Sequence, residues 1–211
     1  MTLTVAAFVL GPLQNNTYLV ADADSGQAAV IDPSFDSQVV LDEARKRNWR
    51  ITQIWLTHAH FDHIAGVAEI AGSAEPPLPV GLHPADDSLW ALGGSSSSFG
   101  LEIDPGPEPV IKFYHGQKLH LGESELEVRH TPGHTRGHVV FYAELERLLF
   151  CGDLIFRGSV GRSDLPGGDQ DRLLHSIRTQ VLTLPADTRL LPGHGPESTV
   201  GLESETNPFL K

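Results

Sequence analysis

Thr57-His58-Ala59-His60-Phe61-Asp62-His63 is the stretch on which the reading of this chain turns. Three imidazoles and a carboxylate follow directly on the apolar run Ile51-Thr52-Gln53-Ile54-Trp55-Leu56. Neutral imidazole and carboxylate are preferred ligands for zinc, iron and manganese. A strand that delivers such a cluster to its own C-terminal end is building a metal site, and a metal site open to substrate usually means chemistry. The alternative, a histidine-rich surface loop, leaves the matching pieces downstream unexplained.

In extended chain, residues i and i+2 point the same way, so His58 and His60 can converge on one ion. Asp62 and His63 come where the chain turns into a helix, and so should point toward a second ion. Three further candidates sit in glycine-bearing turns after apolar runs. They are His134 in Thr131-Pro132-Gly133-His134, Asp153 in Phe150-Cys151-Gly152-Asp153, and His194 in Leu191-Pro192-Gly193-His194-Gly195. Glycine beside a ligand lets the backbone bend sharply and approach closely. A sheet presenting several loops at one edge would produce this repeated arrangement.

The ordered set His58, His60, Asp62, His63, His134, Asp153 and His194 resembles the signature of the metallo-β-lactamase superfamily. The segment Gly158-Ser159-Val160-Gly161-Arg162-Ser163-Asp164-Leu165-Pro166-Gly167-Gly168-Asp169 resembles, more narrowly, short bacterial relatives of glyoxalase II, the hydroxyacylglutathione hydrolases. The resemblance runs from about Leu10 to the C-terminus. It implies that His58, His60 and His134 hold one ion, that Asp62, His63 and His194 hold the other, and that Asp153 bridges them. The implied cofactors are two divalent ions, zinc first, with iron or manganese as alternatives. Two cations about 3.5–4 Å apart that share a water bring its pKa from about 15.7 to near neutrality, which supplies a hydroxide nucleophile without Ser or Cys. Asp62 and Asp153 are then the catalytic carboxylates, with Asp62 also taking or relaying a proton.

The implied reaction is hydrolysis of a thioester or ester, of the S-lactoylglutathione kind. Arg162 is the candidate substrate-binding residue, since a guanidinium can hold a carboxylate in bidentate fashion. An Arg–Asp pair with Asp164 or Asp169 is its structural alternative. Only a short segment follows His194, so a separate C-terminal glutathione-binding helical domain is not expected, which puts glutathione specificity in doubt. The rival is persulfide dioxygenase of the same superfamily, a mononuclear-iron enzyme using the equivalents of His58, His134 and Asp153. The Gly158–Asp169 segment favours the hydrolase. A β-lactamase is disfavoured because Asp153 stands where those enzymes use a thiolate, and a non-catalytic metal-binding scaffold would be expected to lose ligands that this chain keeps.

Composition narrows the classes further. The 211 residues are expected to form one domain, 1–211, with a substantial core. A net charge of −12 is no basic groove, so nucleic acid is not an expected partner. No apolar run reaches the roughly 18 residues of a membrane span, and Met1–Leu10 reads as a strand, not a signal peptide. The single Cys151 permits no internal disulfide, in keeping with a cytoplasmic protein acting on a small molecule. A homo-oligomer is possible on this sequence but not readable from it.

Alternating and helical patterns place strands at Leu3–Leu10, Thr17–Ala21, Ala28–Ile31, Ile51–Leu56, Pro79–Leu82, Lys118–Leu121, Leu126–His130, Val139–Ala143, Leu148–Cys151 and Arg189–Leu191. Helices are expected at Asp36–Asn48 (with Val39, Val40 and Ala44 inward), Ile64–Ala71, Pro84–Leu92 and Gln170–Leu182. Gly93–Pro109 reads as a mobile insertion, either a lid or an inert loop. Two similar blocks that each deliver ligands from strand ends suggest an α/β (α+β) fold, two mixed sheets packed face to face with helices outside. The resemblance implies the same four-layer αββα sandwich. Asp32, at another strand end, is a candidate partner for a metal-bound histidine, with Thr57 and Asn16 as lesser ones. The remaining histidines, His138 included, are read as non-ligands.

Overall fold

The computed structural model describes residues 2–211, and Met1, with which the expected opening strand began, lies outside them. The first sheet runs in chain order through β1 (Leu3–Leu10), β2 (Asn15–Asp22), β3 (Gln27–Ile31), β4 (Arg50–Trp55), β5 (Val80–Leu82) and β6 (Ile111–Lys112). The first three pair antiparallel, and β3 to β6 pair parallel. The second sheet contains β7 (Lys118–Leu121), β8 (Ser124–His130), β9 (Val139–Ala143) and β10 (Leu148–Gly152). A two-stranded hairpin follows, β11 (Ile155–Phe156) with β12 (Ser159–Val160). Then β13 (Arg189–Pro192) joins β10 in parallel and β14 (Ser198–Thr199) closes that edge.

Alternation along the strands sorts the apolar residues into three layers. Val20, Ile31 and Trp55 of the first sheet meet Val128, Phe141, Phe150 and Leu191 of the second in the central layer. The Trp55 and Phe141 rings meet there at a tilt, with centroids 5.8 Å apart. Burying each such side chain contributes about 1.5–3 kcal/mol. On the outer face of the first sheet, Leu19, Val30 and Ile54 pack under α1 (Gln38–Arg47) and the segment of α2 (Phe61–Ile64) and α3 (Val67–Ala71). A short α4 (Asp87–Ala91) adds Trp90 to this layer. On the outer face of the second sheet, Val140, Leu149, Cys151 and Leu190 pack under α5 (Gln170–Ser176) and its continuation. The last helix is α6 (Val200–Thr206). This is the expected αββα sandwich, and among the described residues no helix is long and apolar enough to cross a membrane.

Several expected elements are reshaped by packing. The helix at Ile64–Ala71 is two short helices, because Gly66 lies against Ser34, where a Cβ would fall 2.1 Å from the Ser34 carbonyl oxygen. In α1 the buried stripe is Val40, Leu41 and Ala44, while Val39 is 45% exposed. The helix at Gln170–Leu182 changes to a π-helical turn over Ile177–Val181, and its buried residues recur every four positions, at Leu173, Ile177 and Val181. Gly93–Phe99 folds into 3₁₀ turns seated on the histidine motif. A Cβ on Gly94 would lie 2.3 Å from the Phe61 nitrogen, and the Phe99 ring tilts against Phe61 at 5.1 Å. Strands β6, β11, β12 and β14 and helix α6 go beyond the elements read from the sequence.

The ligand-bearing loops meet at one edge of the sandwich. Val139 donates its N–H to the Thr57 carbonyl at 2.8 Å, joining the two sheets beside the histidine motif. Gly193 donates to Gly152 at 2.8 Å and Asn16 to Gly193 at 2.6 Å, drawing the loops of Asp153 and His194 and the β1–β2 turn together.

Candidate metal centre

All seven candidate ligands converge at that edge in two adjoining clusters. His58, His60 and His134 form one, and Asp62, His63 and His194 the other. In the first, His60 Nδ1 lies 2.9 Å from His134 Nε2, which lies 3.2 Å from His58 Nε2. In the second, His194 Nε2 is 3.1 Å and His63 Nε2 is 3.6 Å from Asp62 Oδ2. Asp153 lies between them. Its Oδ1 is 3.4 Å from His63 Nε2, and its Oδ2 is 3.6 Å from His134 Nε2 and 3.7 Å from His194 Nε2.

The hydrogen bonds behind the rings determine which nitrogen faces the centre. Asp32 accepts from Thr57 N at 2.7 Å, from Thr57 Oγ1 at 2.6 Å and from His63 Nδ1 at 3.0 Å. Having given its proton to Asp32, the Thr57 hydroxyl can only accept from His58 Nδ1, 3.0 Å away. His134 Nδ1 donates to the Arg162 carbonyl at 2.7 Å, and His194 Nδ1 to the Leu13 carbonyl at 3.1 Å. Four rings are thereby fixed with Nε2 turned inward, the arrangement typical of metal-bound histidine. Asp32 is thus the ring partner the sequence suggested, bonding His63 directly and His58 through Thr57. Asn16 works differently: its side-chain amide donates to the carbonyls of Pro192 and Gly195 at 2.9 and 2.8 Å, shaping the loop of His194 and not a ring.

Two residues that sequence reading left aside also serve the centre. His138 is fully buried between Thr131 and Asp153. Its Nε2 accepts from the Asp153 N–H at 3.1 Å, and its Nδ1 contacts Thr131 Oγ1 at 2.9 Å. Both nitrogens are engaged, so His138 positions the Asp153 backbone and is not a ligand. Asp86, also buried, accepts bonds from the loops on either side of it. Spacing from the His134 motif was the available signal for His138. None marked Asp86.

The two clusters differ in charge. Burial, helped by neighbouring imidazoles, holds His58 well below the ordinary histidine value and brings His60 down to about 3. Burial lowers His134 as well. In the other cluster burial opposes charge on His63, but Asp153, Asp62 and Asp32 outweigh it and push His63 well up. Burial likewise opposes charge on Asp62 and Asp153, yet the nearby histidines hold both carboxyls below their ordinary range.

These residues fit metal ions. His63 Nε2 and Asp153 Oδ1 are buried without any hydrogen-bond partner, a costly condition that a cation between them relieves. Neutral imidazoles and ionised carboxylates at such separations are the donor set that zinc, iron and manganese take.

The sequence profile described as "Metallo-beta-lactamase superfamily" matches residues 10–194. The chain belongs to that superfamily. A relative named Hydroxyacylglutathione hydrolase GloC, from Haemophilus influenzae, is 33% identical over 93% of this chain and 93% of its own. The structure of BLEG-1, described as a B3 metallo-β-lactamase, is 36% identical with a TM-score of 0.92, covering 99% of this chain and 100% of that one. TTHA1623, solved in a di-iron-bound form, is 43% identical with a TM-score of 0.88, covering 98% of this chain and 100% of that one. At this level the chain reads as a metal-dependent hydrolase of the superfamily, with His/Asp clusters consistent with a dinuclear site.

Arg162 lies at the rim. Its Nε and Nη2 donate to the two oxygens of Asp164 at 2.8 and 2.9 Å, so the guanidinium is paired as the structural alternative anticipated. Its carbonyl is the group that orients His134.

Proposed function

We propose that this chain hydrolyses a thioester or ester, of the kind a hydroxyacylglutathione hydrolase takes, at a two-metal centre. The observation that carries the reading is the pair of orphaned, inward-facing atoms, His63 Nε2 and Asp153 Oδ1, beside a complete three-histidine cluster. A cation held by Asp62, His63 and His194 would satisfy both, whereas the single iron of a dioxygenase, held by His58, His134 and Asp153, would leave His63 Nε2 unmet. The name of the Haemophilus relative supports the substrate class.

His58, His60 and His134 would hold one ion and Asp62, His63 and His194 the other, with Asp153 between the two clusters. Bound divalent cations would supply a Lewis acid for the carbonyl and acidify a water. The protein's own groups do the rest. Asp32, Thr57 and the carbonyls of Leu13 and Arg162 hold four of the rings with Nε2 toward the centre. Asp62, held ionised by His63 and His194, accepts a proton from the attacking water at a carboxylate oxygen. It returns that proton to the leaving thiolate, so the products are a carboxylic acid and a thiol. Arg162 takes the substrate carboxylate in exchange for Asp164. That exposed pair is screened by solvent and opens readily.

The test is turnover of S-lactoylglutathione and of a simple acyl thioester by metal-loaded protein, with metal content measured on the same sample. Hydrolysis with two ions per chain supports the reading, whereas an inactive di-metal protein overturns it. Lactam hydrolysis is the second reading, favoured by the BLEG-1 description, and a chromogenic cephalosporin cleaved faster than either thioester would select it. Asp62→Asn with full metal content and full turnover would remove the proton role from Asp62.

A further inference from the structure

Asp86 stands outside the seven ligands, yet its carboxylate joins the two loops that supply the three-histidine cluster. Its Oδ2 accepts from Ala59 N at 3.2 Å and from Thr135 Oγ1 at 2.7 Å, and its Oδ1 accepts from Gly137 N at 2.7 Å. Ala59 lies between His58 and His60, and Thr135 follows His134. The side chain is 2% exposed, so these donors take the place of water. Gly137 permits the approach, because a Cβ there would fall 2.8 Å from the Asp86 carboxyl carbon. The bonds at the other cluster run elsewhere, through Asp32 to His63 and through Leu13 to His194.

We propose that Asp86 is a positioning residue specific to the three-histidine cluster, holding His58 and His60 at the distance from His134 that a metal ion requires. The inference rests on the two-metal reading and adds to it a separate control on each ion. An ionised carboxylate presents acceptors only, so it suits three donors at once. Asparagine has the same shape but turns an NH₂ group against one of those donors, leaving it unmet in a buried place. The loops then lose their common anchor, while Asp62, His63 and His194 keep theirs.

The experiment titrates cobalt(II) into metal-depleted protein and follows its visible absorption with a competing chelator. His60→Ala and His194→Ala assign the steps to the two clusters. In Asp86→Asn, affinity at the three-histidine cluster should fall by about 10–100-fold, the usual cost of losing an outer partner, with the other step unchanged. Thr135→Val, a milder change that keeps the carboxylate, should shift the same step by less. Asp22→Asn, at the end of β2 remote from the centre, should shift neither. Unchanged affinities in both Asp86→Asn and Thr135→Val overturn the assignment. So does an equal fall at both clusters, the mark of general loosening. If the unaltered protein takes up no cobalt, the two-metal reading itself fails and this inference with it.

Discussion

His58, His60 and His134 are kept as neutral imidazoles by burial, whereas Asp62, His63, Asp153 and His194 hold one another in charged forms. Hydrogen bonds behind the rings serve both clusters. The second has in addition opposite charges facing each other across the centre, with two carboxylates to offset the charge of bound cations. A cation entering the three-histidine cluster meets lone pairs already free of protons. One entering the carboxylate cluster competes with protons that the same carboxylates attract. Adjacent sites on one scaffold can thus differ in how strongly acid opposes metal binding.

The comparison breaks most completely at Asp153, whose oxygens face both clusters. Asp153→Ala should remove both metal-binding steps. Several kcal/mol of Lewis-acid assistance would go with them, which corresponds to a loss of about a thousandfold or more in thioester turnover. Metal content by mass spectrometry and initial rates check it together. Next comes Asp32, which serves His63 directly and His58 through Thr57. Asp32→Asn should therefore weaken both clusters by about 10–100-fold in a cobalt titration, in contrast to the one-sided effect expected at Asp86.

Smaller changes sharpen the comparison. Arg162 contributes a carbonyl to the first cluster and a guanidinium to the rim, so Arg162→Ala separates the two. The carbonyl remains, and metal affinity should stay as it was. KM for a carboxylate-bearing thioester should rise about tenfold, the value of a hydrogen bond to a charged group, with kcat little altered. A fall in kcat at constant KM would deny the substrate contact.

The smallest effect lies away from the centre. Asp22 accepts from Ser124 Oγ at 2.6 Å and Ser25 N at 2.8 Å, which lowers its pKa to about 2 from 3.8. A depressed carboxyl stabilises the folded chain above the unfolded value, and that share is lost as pH falls through about 2. Asp22→Asn should cost about 1 kcal/mol at pH 7 by denaturant titration, and the gap to the unaltered protein should narrow between pH 4 and pH 2.

The layered fold was legible because its strands are short, apolar and punctuated by glycine turns, and because each sheet alternates inward and outward residues. Helix boundaries were less so. The break at Gly66 and the π-helical turn after Ser176 arise where a helix meets a particular neighbour, which no periodicity encodes. Gly93–Pro109 looked detached in composition, yet its glycines allow close packing on Phe61 and Ala68.

The candidate ligands could be read from the chain alone because imidazoles and carboxylates beside turn glycines carry their chemistry locally. Their convergence, and the groups that hold them, belong to the tertiary structure. Asp86 meets backbone and hydroxyl groups of Ala59, Thr135 and Gly137, and His138 meets the N–H of Asp153. A backbone donor has no identity in the sequence, so a side chain that acts on one acquires its role only when folding brings the two segments together.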